Sequence, residues 1–231
     1  MKCAKIAEQT IFSHKSEANL RRRALAYSLR PMRKEDIAQV TEIDHEAFPD
    51  QLPPANYRHE LQNQLARYIV ACDDAKTFEE PEVKPSKGLA KLAARLKLYL
   101  RRSHRDDSLP SKREYIVGFA GIWVLADEAH ITNLAVRKRY RRRGIGELLL
   151  ISIIDLTKEL KASTMTLEVR ASNLPAQNLY RKYGFTQVGI RRGYYLDNRE
   201  DGILMSTESI TSASFQAHLQ QLREALARRL G

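Results

Sequence analysis

The sequence predicts a mixed α/β domain in which one central sheet carries helices on both faces. Segments with alternating apolar residues, typical of strands, are interleaved with segments whose apolar residues recur every three or four positions, typical of helices. The resulting order is strand, helices, strands, helix, strand, helix and strands, which is typical of a layered α/β fold. The 231 residues, of which 43% are hydrophobic, can form one domain of ordinary size with additional segments.

The first elements follow a basic N-terminal extension, residues 1–23, which lacks the apolar core of a secretion signal. Alternation around residues 25–29 predicts a strand, and the spacing of the apolar residues over 37–48 predicts a helix. A proline opens a second predicted helix at 54–65, and the short apolar run at 67–72 predicts a strand.

Residues 73–113 differ in character from the rest and are interpreted as an insertion between two strands. Linkers flank a segment at 89–105 whose leucines share one helical face and whose other faces are basic. From Lys76 to Arg113 eleven basic and five acidic residues give a net charge of +6. This segment either packs on its own domain as a solvated helix or is a docking arm for RNA, a ribosome or a membrane surface.

The remaining elements complete a domain that we predict to span residues 24–210. They are strands at 115–125 and 129–136, a helix after the glycine segment, a strand at 164–170, a helix that starts after Asn173 and ends at Gly184, and two strands joined by Asp197–Glu200. Leu149, Ile153, Leu156 and Leu160 line one face of the first of these helices. The tail at 211–231 has a helical spacing of apolar residues. We expect it to pack on the domain, with an oligomer contact as the alternative.

Charge and composition restrict the class of partner. The formal net charge of +11 favours anionic partners such as nucleotide cofactors, nucleic acid, ribosomal surfaces or anionic lipid. No apolar stretch reaches the roughly 18 residues needed to span a bilayer, so the cytoplasm is the expected location. Cys3 and Cys72 form neither a metal-like spacing nor a disulfide framework, and no metal cluster is apparent.

A glycine-rich segment, YRRRGIGELLL at residues 140–150, sets three arginines directly before an apolar helical run. Backbone N–H groups at a helix start have no partner within the helix, and glycine lets a ligand approach the backbone closely, so such a turn can bind phosphate. The P-loop pattern is absent, and the Rossmann pattern fails because residue 149 is leucine. The alternative is a glycine-containing helix start with solvated arginines.

The segment LAVRKRYRRRGIGELLL resembles the cofactor motif of the GCN5-related N-acetyltransferases, R/Q-x-x-G-x-G/A, with Arg141, Gly144 and Gly146 at its positions. LEVRASNLPAQNLYRKYGF and RRGYYLDNREDGILM resemble the second half and the closing hairpin of the branch that acetylates the N-terminal alanine of a ribosomal protein. The resemblance covers about residues 25–210 without the insertion and departs at Lys138, where relatives often carry proline. It implies the family's mostly antiparallel sheet and acetyl-CoA as cosubstrate, without a metal.

The resemblance also implies which residues contact the cofactor. The strand LAV would end in a bulge, and the loop after it would hold the pyrophosphate of acetyl-CoA through backbone N–H groups, with one N–H near Val136 polarising the carbonyl. The implied contacts are Leu134, Ala135, Val136, Arg141, Arg142, Arg143, Gly144, Ile145, Gly146, Glu147 and Asn173. Asn173 is equally explained as a helix N-cap.

Glu168 is the candidate general base. It lies on the polar face of a strand whose other face carries Met165, Leu167 and Val169. From the pattern alone, Glu168 could simply pair with a cation such as Arg170 or Arg137. The resemblance implies that the glutamate of LEVR accepts the proton of the acceptor amine, either directly or through water.

Tyr180 is the candidate general acid. From the pattern alone it is a core tyrosine that shares a helical face with Ala176, Leu179 and Tyr183. The resemblance implies that this tyrosine protonates the departing thiolate. A phenol can enter an apolar site uncharged, which suits this role.

Other residues are weaker candidates. His130 is a possible alternative base, but strand parity groups it with Thr132 and Leu134, and a solvent-facing or turn-adjacent histidine is commoner. Tyr194 and Tyr195 either line the acceptor groove or cap the core. A covalent role for Cys72 is not expected, because nothing in the sequence suggests an adjacent base to activate it.

Together these observations predict an acetyl-CoA-dependent N-acetyltransferase that acts on a protein N-terminus, with the N-terminal alanine of a small-subunit ribosomal protein as the implied acceptor. Two alternatives stay open: the same fold acting on lysine or a small amine, and a basic RNA-binding module without catalysis. Residues 89–105 are the predicted point of contact with a ribosome or RNA, and the sequence leaves the oligomeric state open.

Overall fold

The computed structural model of the chain describes residues 26–49, 55–78 and 113–230. Its strands are β1 Tyr27–Pro31, β2 Ala66–Phe78, β3 Arg113–Leu125, β4 Glu128–Val136, β5 Thr164–Arg170, β6 Phe185–Tyr195 and β7 Glu200–Thr207. Its α-helices are α1 Ile37–Ala47, α2 Tyr57–Glu60, α3 Ile145–Glu159, α4 Leu174–Lys182 and α5 Ala213–Leu230. The helices described include none that is both long and apolar enough to cross a membrane.

The strands form one seven-stranded sheet in the order β1-β2-β3-β4-β5-β7-β6. Neighbouring strands pair antiparallel, except that β4 and β5 are parallel and are joined through α3. This confirms the predicted mixed, mostly antiparallel sheet.

Two apolar cores lie on opposite faces of the sheet. One contains α3, the buried side of β5 and the apolar residues of α4 and α5. The other contains α1, α2 and the opposite side chains of β2 and β3. Helices therefore cover both faces, as the sequence predicts, and Met165, Leu167 and Val169 of β5 are buried on the α3 side.

The two parallel strands separate before they end. β4 and β5 pair only from Glu128 and Thr164 to Ile131 and Leu167. Beyond this point β4 continues to Val136 and β5 to Arg170 without pairing to each other. The carboxyl ends of these strands thus border a cleft in the middle of the sheet, where polar backbone groups are available to a ligand.

A β-bulge lies where the two strands separate. Gly121 of β3 pairs with Asn133, but the next residue, Ile122, pairs with Ile131, so Thr132 is an extra residue on β4. A bulge of this kind re-aims the side chains that follow it. Asn133 and Ala135 consequently belong to the α1 side of the sheet, whereas Leu134 and Val136 pack against the core on the α3 side.

Two boundaries differ from the sequence prediction. The second helix, predicted at 54–65, is the single turn α2, because Asn56 caps it at His59 N and Asn63 turns the chain by accepting from Leu65 N. β2 runs on to Phe78, which pairs with Arg113 of β3, so the interval interpreted as an insertion begins inside a strand. Residues 79–112, the predicted basic helix and the N-terminal extension lie outside the described residues.

The C-terminal tail forms α5, which packs on the domain as predicted. Phe215, Leu219 and Leu226 are buried in the core of the α3 side. Arg223 of α5 also pairs with Asp155 of α3, which fixes the two helices side by side.

Candidate active site

The loop between β4 and α3 is shaped to expose backbone donors. Arg142 and Gly144 have left-handed φ angles of 64° and 86°, and α3 starts at Ile145 without a side-chain cap. The first N–H groups of α3 therefore have no partner within the helix, and the helix dipole adds a positive field there. The arrangement has the geometry of a phosphate-binding turn and fits the diphosphate of a coenzyme A ligand.

Side chains around the loop hold it in place. Tyr140 is buried, donates to Asp73 over 2.8 Å and accepts from Lys76 over 2.6 Å. Arg141 Nε donates to the carbonyl oxygen of Val136 over 3.1 Å, and the guanidinium of Arg143 lies over the Tyr140 ring. Arg141, Arg142 and Arg143 are exposed, so they add positive charge at the surface of the turn.

The end of β4 presents two backbone donors to the cleft. Arg137 N donates to Val117 O of β3, and hydrogen-bonding direction alternates along a strand. The N–H groups of Leu134 and Val136 therefore point away from β3, toward the side where β5 has separated. The side chains of these two residues pack near Gly146, so the strand end and the first turn of α3 meet at the cleft.

The carboxylate of Glu147 binds other side chains of the protein. Its carboxylate accepts from the Tyr183 hydroxyl over 2.8 Å and is ion-paired with Lys182 of α4 and Arg229 of α5. Burial alone would raise the pKa of Glu147, but the hydrogen bonds from Lys182, Arg229 and Tyr183 lower it overall. The side chain thus ties three helices together beside the loop, and its backbone N–H is the group available to a ligand.

Asn173 acts as the N-cap of α4. Its side-chain oxygen accepts from Ala176 N over 3.2 Å. This confirms the N-cap interpretation of Asn173; a cofactor contact by the same residue stays a prediction.

Glu168 lies on the α1 side of β5 with its side chain only 7% exposed. Its Oε2 is 3.1 Å from Nε2 of His130, and its Oε1 is 2.9 Å from Nη2 of Arg191 on β6. The hydrogen bond from His130 and the charges of His130 and Arg191 lower the pKa of Glu168, although burial raises it. Glu168 is therefore an ionised carboxylate held at the mouth of the cleft.

The partners of Glu168 differ from those considered in the sequence. Arg170 instead pairs with Asp197 and Glu200 of the hairpin between β6 and β7, and Arg137 pairs with Glu42 of α1. The parity argument for His130 was wrong about Leu134, because the bulge at Thr132 moves Leu134 to the α3 side of the sheet. His130 shares the face of Glu168, because it is the register partner of Thr166, which lies two residues before Glu168 on β5.

Tyr180 of α4 belongs to the core on the α3 side of the sheet. Its ring is buried and packs on Phe185 with ring centroids 5.6 Å apart. Burial raises the pKa of Tyr180, so the phenol stays protonated. The predicted acid thus lies on the α3 side of the sheet, whereas the predicted base lies on the α1 side.

The β6–β7 hairpin closes one side of the site. Tyr194 is 41% exposed and contacts Tyr195 edge to face, with Arg191 over its ring. Tyr195 is half-buried under Arg170, and burial raises its pKa to about 12. Of the two sequence interpretations, an exposed Tyr194 fits an acceptor groove, and a packed Tyr195 fits a cap on the core.

Cys72 is buried in the core of the α1 side, and burial raises its pKa to about 12. It is therefore a packing residue rather than a nucleophile. Among residues 26–49, 55–78 and 113–230, no three His, Cys, Asp or Glu side chains are grouped as metal ligands.

Sequence reasoning missed Arg191 and the α5 contact with the loop. Arg191 reaches Glu168 only because the edge strand β6 folds back beside β7. Arg229 and the leucines of α5 lie within about 3 Å of where a side chain on Gly144 would begin. The helical spacing of the tail predicted that it packs, but no local signal indicated where.

The class of the protein follows from the family comparison. Residues 37–185 match the model of the acetyltransferase (GNAT) family. The chain belongs to the GNAT acetyltransferase family and is an N-acetyltransferase, of a family that uses acetyl-CoA.

The chain is also similar to proteins that are named as N-terminal acetyltransferases. The chain is 34% identical over 179 residues to a Bacillus subtilis protein named "putative ribosomal protein bS18-alanine N-acetyltransferase", covering 77% of this chain and 93% of that one. It is 44% identical over 93 residues to the ribosomal protein bS18-alanine N-acetyltransferase of Escherichia coli, covering 39% of this chain and 63% of that one. It is 31% identical over 181 residues to an N-alpha-acetyltransferase of Sulfurisphaera tokodaii, covering 78% and 92%.

Solved structures share the fold. The Escherichia coli ribosomal-protein-S18-alanine N-acetyltransferase aligns with a TM-score of 0.54 at 24% identity, covering 81% of this chain and 97% of that one. A GNAT acetyltransferase from Elizabethkingia anophelis with acetyl-CoA bound aligns with a TM-score of 0.51 at 17% identity, covering 79% and 98%. At these identities the likeness confirms the fold alone.

Proposed function

We propose that this protein transfers an acetyl group from acetyl-CoA to a free protein α-amine, with the N-terminal alanine of a small-subunit ribosomal protein as its acceptor. The names of the Bacillus subtilis and Escherichia coli relatives support this acceptor. The observation that carries the proposal is the separation of β4 and β5 after Ile131 and Leu167, which opens a passage between a phosphate-binding turn and Glu168.

Bound acetyl-CoA would supply the thioester whose acyl group is transferred. The backbone N–H groups of residues 142–147 hold the diphosphate, because they are exposed at the uncapped start of α3. Asn173 contacts the cofactor at the start of α4. The N–H of Val136 donates to the carbonyl oxygen and stabilises the negative charge that develops there.

Glu168 accepts the proton of the acceptor amine, directly or through water. An α-amine has an ordinary pKa near 8, so roughly a tenth is already neutral at pH 7, whereas a lysine amine near 10.4 is almost entirely charged. A carboxylate whose pKa is lowered by His130 and Arg191 is a weak base. The site is therefore better suited to an α-amine than to a lysine.

Tyr180 donates a proton to the departing thiolate. Two observations support this role: burial raises the pKa of Tyr180 and so keeps its phenol neutral, and the residue lies on α4, the helix that follows the strand of Glu168.

The test is mass spectrometry of peptides incubated with acetyl-CoA and the full-length protein. A set of peptides differs only at the first residue, and a control peptide has a blocked N-terminus and an internal lysine. We expect acetylation of the free α-amine, fastest for alanine, and none of the blocked peptide. Transfer only to lysine or to small amines would contradict the proposed acceptor.

Contact with a ribosome or RNA through residues 89–105 stays a prediction, because that segment lies outside the described residues. The proposed acceptor is made in the cytoplasm, which agrees with the location expected from the sequence.

A further inference from the structure

The C-terminal helix α5 runs antiparallel to α3. Gln216, near the start of α5, accepts from Lys158 near the end of α3 over 3.0 Å. Arg229, in the last turn of α5, is ion-paired with Glu147 in the first turn of α3. The last turn of α5 therefore lies beside the start of α3 and beside the proposed phosphate-binding turn that precedes it.

The guanidinium of Arg229 lies directly on this turn. Its Nη2 is 3.2 Å from the position that a Cβ would take on Gly144. Leu226 and Leu230, from the same end of α5, come within 3.1 and 3.0 Å of that position, and Leu226 is buried. Two apolar contacts thus hold the end of the helix against the turn and fix where the charge of Arg229 is placed.

The ion pairs around Glu147 leave an excess of positive charge. One carboxylate, with its side chain 13% exposed, faces both Lys182 and Arg229, whose side chains are 41% and 53% exposed. The three charges sum to +1, and the uncapped start of α3 adds a partial positive charge of the same sign. Positive groups brought together in this way repel one another, and a bound anion relieves that repulsion.

Arg229 also has hydrogen-bond donors to spare. A guanidinium carries five N–H donors in a planar fork that matches the oxygens of a phosphate group. Within residues 26–49, 55–78 and 113–230, the hydrogen bond of Arg229 is the one from Nη2 to Glu147. The other N–H groups are therefore available to a ligand bound at the start of α3.

We propose that Arg229 of α5 binds a phosphate group of coenzyme A, beside the backbone N–H groups of the turn. Hydrogen bonds from a guanidinium to a phosphate are charge-assisted and therefore strong. α5 lies outside residues 37–185, which match the family model, so this contact is not part of the segment that defines the family. The inference rests on the proposed function, because it takes acetyl-CoA as the ligand.

A purely structural role of Arg229 makes a different prediction. If the ion pair with Glu147 only held α5 against the turn, removing either partner would displace the turn and weaken coenzyme A binding equally. If Arg229 binds phosphate, the carboxylate of Glu147 competes with the phosphate for the guanidinium. Removing the charge of Glu147 then frees Arg229 and Lys182 for the ligand, so binding is retained or strengthened.

The test is isothermal titration calorimetry of the full-length protein with coenzyme A, without an acceptor. Arg229→Gln removes the charge, and Arg228→Gln is the matched control because Arg228 is exposed in the same helical turn. We expect R229Q to bind coenzyme A about tenfold more weakly and R228Q to bind within about twofold of the wild type. Glu147→Gln should bind at least as tightly as the wild type.

Dephospho-coenzyme A, which lacks the ribose 3′-phosphate, identifies the phosphate that Arg229 binds. A loss in R229Q that disappears with this ligand assigns the contact to the 3′-phosphate. A loss of the same size assigns it to the diphosphate, and either result supports the contact.

Salt provides a second readout, which does not depend on the folding of E147Q. Because salt screens exposed charges, the difference in affinity between the wild type and R229Q should shrink as the ionic strength rises from about 0.05 to about 0.5 M. R229Q as tight as the wild type, E147Q as weak as R229Q, or a difference unaffected by salt would overturn the contact. Absence of coenzyme A binding by the wild type would instead overturn the proposed function.

Discussion

At the scale of single residues, the environments of the two proposed proton-transferring groups, Glu168 and Tyr180, differ. Glu168 is kept ionised by a histidine and an arginine, which lower its pKa. Tyr180 is kept neutral by burial, which raises its pKa. Pairs of titratable groups whose environments shift their pKa values in opposite directions are typical of the acid and base of an active site. The resemblance identified these residues, and the structure supplies the physical cause of each protonation state.

Replacing Tyr180 tests the proposed acid. Tyr180→Phe keeps the ring packed on Phe185 and removes a hydroxyl that makes no hydrogen bond to a described residue, so stability should hardly change. We expect the single-turnover rate to fall about a hundredfold. The matched control is Tyr183→Phe, which removes the bond to Glu147 and should cost about 1 kcal/mol of unfolding free energy while leaving chemistry nearly intact.

The opposite result for the two variants would assign the proton-donor role to a residue other than Tyr180. If Y183F abolished transfer while Y180F remained fully active, the acid would not be Tyr180. Rates from rapid-quench mass spectrometry and unfolding free energies from denaturant titration together decide between the two tyrosines.

At the scale of elements, the conformation of the proposed cofactor turn, the loop between β4 and α3, depends on one glycine. Gly144 has φ of 86°, and a Cβ there would lie 3.0 Å from Leu230 and 3.1 Å from Leu226 of α5. Gly144→Ala should cost about 1–2 kcal/mol in backbone strain and displace the turn, so we expect weaker coenzyme A binding by calorimetry. Gly189→Ala is the control, because its Cβ would meet Leu204 at an ordinary 3.6 Å. Equal coenzyme A affinity of the two variants would count against the turn as the phosphate site.

The β6–β7 hairpin is tied to the start of α4 by a titratable contact. Glu200 accepts from Ser172 N over 2.6 Å and pairs with Arg170, and the hydrogen bond from Ser172 lowers its pKa to about 2. A glutamate in the unfolded chain has a pKa of about 4.3. The folded pKa is depressed, so the contact stabilises the protein above about pH 5 and loses this contribution as the pH falls toward 2.

Glu200→Gln makes this dependence measurable. The difference in unfolding free energy between wild type and E200Q should be constant from about pH 5 to 7 and shrink as the pH falls through 4 and below. A difference that is as large at pH 3 as at pH 7 would show that the charge of Glu200 does not stabilise the hairpin.

Sequence patterns predicted some elements well because their causes are local. The alternating pattern of β5 is enough to predict that Met165, Leu167 and Val169 are buried and that Glu168 lies on the other face, as the structure shows. The environment of Glu168 was not predictable in this way. The contact with His130 depends on the parallel register of β4 and β5, and the contact with Arg191 depends on the return of β6. Both contacts join residues that are far apart in the sequence. In addition, the bulge at Thr132 interrupts the alternation of side chains between the two faces of β4.

At the scale of the whole molecule, two parts of the chain lie outside the segments that carry the resemblance to the acetyltransferase family. One is α5, which packs on α3 and reaches the proposed cofactor turn at Gly144 through Leu226, Arg229 and Leu230. The other is the basic segment at 79–112. The ends of that segment lie side by side, because Phe78 and Arg113 are register partners in the β2–β3 ladder.

Replacing residues 79–112 by a short glycine-containing turn should therefore leave the sheet intact. We expect unchanged acetylation of a short peptide and weaker action on an acceptor presented by a ribosome, since the wider segment carries a net positive charge that attracts RNA. Initial rates on the two substrates at two salt concentrations check this. An equal loss on both substrates would mean that the segment supports the fold or the site rather than docking.

The central claim is that Glu168 removes the proton from a protein α-amine during acetyl transfer. The most direct measurement is mass spectrometry of an alanine-starting peptide after incubation with acetyl-CoA and either the wild type or Glu168→Gln. We predict that the wild type adds one acetyl group at the α-amine and that E168Q does so about a hundredfold more slowly with unchanged coenzyme A affinity. A Glu168→Gln variant as fast as the wild type would contradict the account.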